Sequence, residues 1–400
     1  MNELVITTYK DHTICAAYED KTMVQVSAAR SMETFLGNIY IGRIDNIVKN
    51  IHAAFVNIGD NMSCYLDISA AEGAVFTKKQ SEKKLSIGDE LIVQVTKEAV
   101  KSKAPVVSTN FSITGKYVVF VHHGEGIQVS KKITNKIQRV QLKDIAAPFG
   151  SSEYGIVIRT NAQFVAEDEL VSEIEELKKC YLEIVSQAKH RVKYTLLYKE
   201  LPEYLKQLRD LKEYTLEKII TNLPKVYDEI QAYLKQHPIK TANEPPVSVS
   251  LTEEENELNI IYKISHYMEQ SLRRLVYLKS GATIVIEPTE ALTVIDVNTG
   301  KAVSGKNTSE DTFYRINLEA AKEIAAQIRL RNISGIIIID FINMSQKEYK
   351  EQLVERLKSY LDKDPVQTEF VEITKLGLVE LTRKKINKTL SEQLEELQTI

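Results

Sequence analysis

Cysteine is scarce in this chain: 400 residues carry three, Cys15, Cys64 and Cys180, far apart and never in a Cys-x-x-Cys pair. With no His-Glu-x-x-His either, neither a disulfide framework nor a local zinc site is written, and zinc is not expected as an intrinsic cofactor. Long apolar runs are missing too, and nothing approaches the length of a membrane span. The N-terminus Met1-Asn-Glu-Leu-Val-Ile-Thr-Thr lacks the basic and apolar regions of a secretory signal, so a cytoplasmic location is expected. Nor does charge of one sign dominate. A net charge of −3 excludes a generally basic nucleic-acid binder while leaving room for local basic patches. Proline clusters only in Gln236-His-Pro-Ile-Lys-Thr-Ala-Asn-Glu-Pro-Pro-Val, where a loop or boundary is expected. The acidic run Glu253-Glu-Glu-Asn-Glu that follows reads as a solvated face or helix start. What is present, 43% hydrophobic and 27% charged residues, describes a globular, soluble chain long enough for roughly two to four domains.

Two short segments carry the strongest chemical signal. Leu292-Thr-Val-Ile-Asp296-Val-Asn298-Thr-Gly300 and Gly335-Ile-Ile-Ile-Ile-Asp340-Phe341 each read as a strand buried on both faces that delivers an aspartate at its C-terminal end. Between them Asn307 to Arg331 reads as a helix. Phe313, Ile316, Ala320, Ile324 and Ile328 fall at spacings of three and four, with a capping box at Thr308 and Asp311. Strand, helix and strand suggest a βαβ crossover, which brings Asp296 and Asp340 to one edge of the sheet. An Mg²⁺ site for phosphate chemistry needs that geometry, because Mg²⁺ takes one or two carboxylates and leaves its other positions to water and phosphate oxygens. The plain alternative is that each aspartate merely ends its strand or caps the next turn.

Upstream, Leu4-Val-Ile-Thr-Thr-Tyr, Thr13-Ile-Cys-Ala-Ala-Tyr and Met23-Val-Gln-Val alternate like short antiparallel strands. From Gly37 to about Gly115 short strands recur, as expected for a small barrel of the OB type. Phe55 and Tyr65 would lie on neighbouring strands where aromatic faces can stack unpaired bases, with Lys97, Lys101 and Lys103 near enough to steer a phosphate backbone. Core packing is the alternative for the aromatics. A further β-rich section ends in Gly155-Ile-Val-Ile-Arg159-Thr160, followed by a helix from Glu167 to about Lys193 with Leu170, Ile174, Leu177 and Tyr181 on one stripe. Arg159 and Thr160 could pinch a phosphate, guanidinium to two oxygens and hydroxyl to a third; equally, Arg159 could pair with Glu153 or Glu167. Ile260 to Val276 reads as an amphipathic helix carrying Arg273 and Arg274.

One motif supports a rival. Gly300-Lys-Ala-Val-Ser-Gly305-Lys306-Asn307 matches the phosphate-cradling G-x-x-x-x-G-K-[S/T] pattern at every position but the last, which would imply a P-loop-like NTPase. The mismatch falls on the hydroxyl that ligates the metal, and Asn307 does not supply it.

Taken together, Glu290-Ala-Leu-Thr-Val-Ile-Asp296-Val-Asn298-Thr, the run Asn317 to Arg331, Gly335-Ile-Ile-Ile-Ile-Asp340-Phe-Ile-Asn-Met344 and Gly377-Leu-Val-Glu-Leu-Thr-Arg383 resemble the catalytic core of the ribonuclease E/G endoribonucleases. Ala53-Ala-Phe-Val, Lys103-Ala-Pro-Val-Val-Ser-Thr and Gly155-Ile-Val-Ile-Arg159-Thr160 extend the resemblance over essentially the whole chain. It implies an α/β multidomain fold. Residues 1–35 and 201–270 would form a split ribonuclease-H-like domain, 36–115 an inserted OB-fold RNA-binding domain, 116–200 a 5′-sensor, and 271–400 a deoxyribonuclease-I-like catalytic domain with a C-terminal helix. By the same resemblance Asp296 and Asp340 are Mg²⁺ ligands and Asn298 positions the scissile phosphate or its attacking water. Arg159 and Thr160 hold a 5′-monophosphate, and Phe55, Tyr65 and Lys103 grip single-stranded RNA.

Departures from the family pattern limit what is carried over. The family joins subunits through zinc on a Cys-Pro-x-Cys motif shortly after the position of Arg383, and Lys384 to Ile400 contains no cysteine. Asn343 stands where the family usually has Asp, and Lys375-Leu-Gly where it has Arg-Phe-Gly. Ile386, Leu390, Leu394 and Leu397 instead form a helical apolar stripe, to be buried on its own chain or against a second subunit in a zinc-free homodimer. No tail beyond Ile400 that recruits a degradation assembly is expected. The reading is an Mg²⁺-dependent endoribonuclease of RNA processing and decay, leaving 5′-phosphate and 3′-hydroxyl ends on single-stranded, A/U-rich RNA. The alternative class is a non-catalytic RNA-binding or ribosome-associated protein, which leaves the two aspartates unexplained.

Overall fold

The computed structural model describes residues 3–10, 12–29, 35–71, 73–81, 84–99, 104–210, 216–239, 247–252, 257–300, 310–385 and 387–396. The chain divides into two compact units, residues 1–31 with 214–400, and residues 32–213.

In the unit of residues 32–213, strands Ile39–Val48, Ala53–Asn57, Ser63–Asp67, Glu90–Lys97 and Val106–Ser108 form a closed barrel. Their spatial order is first, second, third, fifth, fourth, and the fourth pairs back onto the first. The third and fifth run parallel, the other pairs antiparallel. This is an OB-like arrangement. Alternation does the sorting: Ala54, Val56, Cys64 and Leu66 point into the barrel core while Phe55 and Tyr65 face outward, half-buried. A four-stranded sheet follows in the order Ser112–Thr114, Val118–His122, Tyr154–Ile158, Ile127–Val129. Helix Glu167–Ala188 packs Leu170, Ile174 and Tyr181 into the same core as Phe120 and Ile156, with Leu177 partly buried beside them.

A second helix, Lys136–Ala146, interrupts what the sequence presents as a uniformly β-rich stretch. Its cap explains it. Asn135 Oδ1 accepts hydrogen bonds from the N–H groups of Ile137 (3.0 Å) and Gln138 (3.2 Å), while only Leu142 and Ala146 are buried, too few to write an apolar stripe.

In the other unit, strands Glu3–Tyr9, His12–Glu19 and Thr22–Ala29 form an antiparallel meander. Lys218–Thr221 joins the free edge of the first strand in parallel, and Ser248–Leu251 adds beyond it, also in parallel. A six-stranded sheet carries the order Leu275–Tyr277, Thr283–Pro288, Leu292–Asn298, Gly335–Asp340, Val379–Arg383, Thr368–Ile373. Its two central strands are parallel and joined by helix Glu310–Leu330, the expected βαβ crossover. Ile316, Ala320, Ile324 and Ile328 of that helix and Leu353 and Leu357 of helix Lys347–Leu361 pack on the sheet.

Two expectations are corrected in this unit, and one in the other. The two aspartate-bearing strands are not buried on both faces: Thr293, Ile295, Val297, Ile337 and Ile339 are buried, but Leu292, Val294, Asp296, Ile336, Ile338 and Asp340 are half-buried or exposed. Both covering helices belong to one side. The single helix expected from Ile260 to Val276 is two, Glu257–Ile261 and Ile264–Leu272, broken where Lys263 adopts a left-handed φ of 49°, and Leu275–Tyr277 is already strand. Helix Glu167–Ala188 likewise stops short of Lys193. At the C-terminus, Leu390 and Leu394 of helix Leu390–Glu396 are buried with Met23 and Val26 of the meander, and Gln393 Oε1 accepts from the Ala28 N–H at 2.8 Å. Half of the apolar stripe is thus covered by the chain itself; Ile386 and Leu397 lie outside the described residues.

Candidate active site and RNA-binding surfaces

Parallel pairing sets Asp296 directly opposite Asp340. Residues paired this way share a face, with Cα atoms about 4.8 Å apart. The shared face is the one that no helix among the described residues covers, so both carboxylates open to solvent from neighbouring strand ends. Asn298, two residues on and on the same face, donates from Nδ2 to Asp296 Oδ2 at 2.7 Å, which orients that carboxylate and leaves the amide Oδ1 as a further acceptor. Among the described residues no cluster of three or more His, Cys, Asp or Glu side chains is placed to hold a metal. A cation here would take two protein carboxylates and draw its other ligands from water or phosphate, the pattern of Mg²⁺. The turn that leaves the first strand depends on Gly300, whose φ is +53° and whose added Cβ would meet Gly281 O at 2.5 Å.

Behind the pair, Asn317 on helix Glu310–Leu330 is fully buried. Its Nδ2 donates to Ile342 O (2.8 Å) and its Oδ1 accepts from Ile342 N (3.0 Å), a two-pronged clamp on the segment that follows Asp340. The sequence signal for it is an Asn at a core-facing helical position, where an apolar residue is the norm. Glu310 Oε1 also accepts from the Ser345 N–H, and Tyr349 donates to Asp311, so the helix start is tied to the same segment.

In the barrel, Phe55 and Tyr65 are register partners on the second and third strands, ring centroids 6.4 Å apart and nearly perpendicular. They are outward-facing rather than core residues, on the face through which barrels of this type bind oligonucleotides. Lys101 and Lys103 lie outside the described residues; Lys97 is exposed.

Arg159 and Thr160 stand at the end of strand Tyr154–Ile158. Arg159 Nη1 donates to Gly115 O (2.5 Å) and to Asp210 Oδ1 (2.7 Å), so its partner is Asp210 and not Glu153 or Glu167. Among the described residues both hydrogen bonds of this guanidinium leave from Nη1. Asp210 is shared with Arg209, whose Nε lies 3.0 Å away and whose Nη1 reaches Glu200 (3.3 Å) and Thr114 O (3.0 Å). Burial would raise the Asp210 carboxyl, but Arg159 and Arg209 outweigh it and hold the group below the usual aspartate range. Thr160 Oγ1 lies 3.0 Å from Ser130 Oγ, and Arg139 braces the Ser130 segment through Ser130 O and Ile133 O. Glu173 completes the support by accepting from the N–H groups of Lys116, Tyr117 and Val118. Arg159 and Thr160 are therefore held in place by their neighbours, and Asp210, remote in sequence, carried no signal that linked it to Arg159.

A family model described as Ribonuclease E/G family matches residues 112–386. The chain belongs to the ribonuclease E/G family. It is 32% identical over 398 residues to ribonuclease E of Synechocystis sp., an alignment spanning 98% of this chain and 58% of that protein. To ribonuclease G of Salmonella typhimurium it is 30% identical over 406 residues, spanning 98% and 81%, and to ribonuclease G of Escherichia coli K12 29% over 405, again 98% and 81%. The chain thus spans little more than half the length of the ribonuclease E and about four-fifths of each ribonuclease G. Among the described residues no helix is long and apolar enough to cross a membrane.

Proposed function

We propose that this chain is an Mg²⁺-dependent endoribonuclease that cuts single-stranded, A/U-rich RNA in the cytoplasm, prefers a 5′-monophosphate end, and serves RNA processing and decay. One observation carries the reading: family membership coincides with two aspartates in direct register on the uncovered face of a sheet. Asp296 and Asp340 would hold the cation, which when bound neutralises charge on the phosphoryl oxygens as a Lewis acid. Asn298, fixed by its bond to Asp296, offers Oδ1 to orient the incoming water. As that water attacks phosphorus, its oxygen forms the new P–O bond and its proton passes to solvent, while the P–O3′ bond breaks and the leaving O3′ takes a proton from solvent, leaving 5′-phosphate and 3′-hydroxyl ends. Asn317 keeps the Asp340 segment from drifting.

Arg159 and Thr160 support a 5′-end site. Among the described residues Nη2 and Nε of the guanidinium carry no hydrogen bond and are placed for a phosphate dianion, and the Thr160 hydroxyl can donate to a further oxygen. Phe55 and Tyr65 support single-strand binding by stacking, with Lys103 as a phosphate contact. The two ends of the split sheet, from the N-terminus and from residues 218–251, support the ribonuclease-H-like assignment, and the mixed sheet with its helices on one side the deoxyribonuclease-I-like one. Zinc is not part of this proposal. Cys15 and Cys64 are buried and Cys180 half-buried, and burial pushes the Cys64 and Cys180 thiols up to about 11, which disfavours the thiolate that zinc requires. Any homodimer would form without a zinc link.

The non-catalytic RNA-binding reading gives the aspartate pair no role, and the NTPase reading rests on residues 301–307, outside the described residues, with Asn307 in place of the ligating hydroxyl. The test is incubation with a 5′-monophosphorylated A/U-rich oligonucleotide with and without Mg²⁺. Cleavage only with Mg²⁺ supports the proposal, and binding without cleavage overturns it.

A further inference from the structure

The uncovered face that carries Asp296 and Asp340 continues to the edge of its sheet. Register pairs Asn298 with Thr283 and Thr283 with Tyr277; in the next row it pairs Asp340 with Asp296, Asp296 with Val285 and Val285 with Leu275. Paired residues share a face, so Tyr277 lies in the Asn298 row and Leu275 in the aspartate row, each two strands away, about 10 Å at the usual strand spacing. Tyr277 is 74% exposed and Leu275 37% exposed, whereas Val276 between them turns to the core side. An aromatic ring and a leucine side chain thus stand on solvent beside the candidate active site. Exposed Arg273 precedes this short strand and exposed Lys279 follows it, so the apolar step is flanked by positive charge. A base beside its own phosphates is the ligand with that chemistry: a flat π-face for Tyr277 and anions for the basic residues at either end.

We propose that Tyr277, with Leu275 beneath it, is a stacking platform for an unpaired base flanking the scissile phosphate, so that RNA is aligned over Asp296 and Asp340 from the sheet edge. The proposal rests on the endoribonuclease reading and deepens it. Stacking tolerates any base but requires one, and it requires a single strand, because both faces of a base inside a duplex are already stacked on its neighbours. It sets the register of cutting.

The test uses the full chain with Mg²⁺ and an oligoribonucleotide with one cleavage site, intact or with a single abasic nucleotide placed in turn at each position next to the cut. Tyr277→Ala should raise KM on intact RNA about 5- to 100-fold, the size of one lost stacking contact. Tyr277→Trp should restore it. At one flanking position the abasic substrate should be poor for wild type and no poorer for Tyr277→Ala. An alanine variant that cuts intact RNA like wild type, or loses equally on intact and all abasic substrates, overturns the platform. So does a fall in mass by light scattering with no change in base dependence, which would make the face a contact between copies. A wild type that cuts no RNA overturns both readings; a wild type that cuts, with an indifferent Tyr277→Ala, overturns this one alone.

Discussion

Metal binding at the aspartate pair should be visible as stability before any RNA is cut. Asp296 and Asp340 face each other across one strand spacing with like charge and no basic side chain bonded to either among the described residues. A cation that bridges them relieves that repulsion, and because it binds only the folded arrangement it shifts the unfolding equilibrium by mass action. At Mg²⁺ about 100-fold above its dissociation constant the gain is about 2.7 kcal/mol. The unit that carries the site has about 200 residues, for which each kcal/mol moves the midpoint by about 2–4 °C, so Mg²⁺ should raise that unit's Tm by about 5–10 °C over a chelator. Asp340→Asn removes a ligand and the repulsion together. Its Tm in chelator should equal or exceed wild type, its Mg²⁺-dependent rise should vanish, cleavage should be lost, and RNA affinity should stay within a few-fold because phosphate contacts elsewhere supply most of the binding. Differential scanning fluorimetry with and without Mg²⁺, on wild type, Asp296→Asn and Asp340→Asn, reads this directly. An Mg²⁺ shift that survives in both variants, or cleavage that survives either at saturating Mg²⁺, would refute the paired-carboxylate site.

Other outcomes follow from particular contacts. Arg159→Ala should erase the preference for monophosphorylated over triphosphorylated RNA in a competition cleavage assay while circular RNA is still cut; an unchanged ratio places the pincer elsewhere. Because the Asp210 carboxyl is held below its ordinary value, its contribution is fully present above about pH 4 and is lost only as pH falls through the lowered folded value. The monophosphate preference should therefore decline near pH 6, where the phosphate itself takes up a proton, and a decline first seen near pH 4 would contradict that assignment. Asn317→Ala should cut kcat by about tenfold or more and lower Tm, since Ile342 loses both partners, at about 1–3 kcal/mol for a buried polar group left unpaired; KM for RNA should hold. Arg383 pairs with Asp364 at 2.8 Å with side chains only 3% and 5% exposed, so Arg383→Met should cost about 3–5 kcal/mol by chemical denaturation by stranding a buried carboxylate, and adding Asp364→Leu should recover much of it.

What the sequence made legible is whatever depends on period. The crossover from Leu292 to Asp340 follows from apolar runs of strand length around a helix whose Ile316, Ala320, Ile324 and Ile328 repeat every three to four residues, and those side chains are the buried ones. The barrel follows from alternation, but alternation left Phe55 and Tyr65 open between core and surface, and it is the register with Ala54, Val56, Cys64 and Leu66 inside that puts them outside. Signals that depend on a single backbone torsion were not legible. Nothing in Ile260 to Val276 announces that Lys263 turns left-handed, and the apolar residues on both sides keep helical spacing across the break. The capped helix at Lys136 is hidden for the opposite reason: a cap without an apolar stripe resembles a turn.

The same distinction governs the site. Asp296 and Asp340 are local, each at the end of its own apolar run, and the βαβ rule converts that into proximity. How open the pair is depends on which face the helices cover, and an isoleucine run such as Ile336 to Ile339 reads alike whether one face is buried or two. The sheet resolves it: helices Glu310–Leu330 and Lys347–Leu361 both pack on the Ile337 and Ile339 side, so Ile336 and Ile338 share the open face with Asp340. Exposing isoleucine costs hydrophobic stabilisation that a second helix layer would recover, and a covered face would close the carboxylates to a polymer substrate. A site that must admit a chain of phosphates and bases needs the face bare, and apolar residues beside the carboxylates are then surface for the bases to rest on. Under the proposed function, the same demand for a bare face accounts for Tyr277 and Leu275 standing exposed at the edge of their sheet.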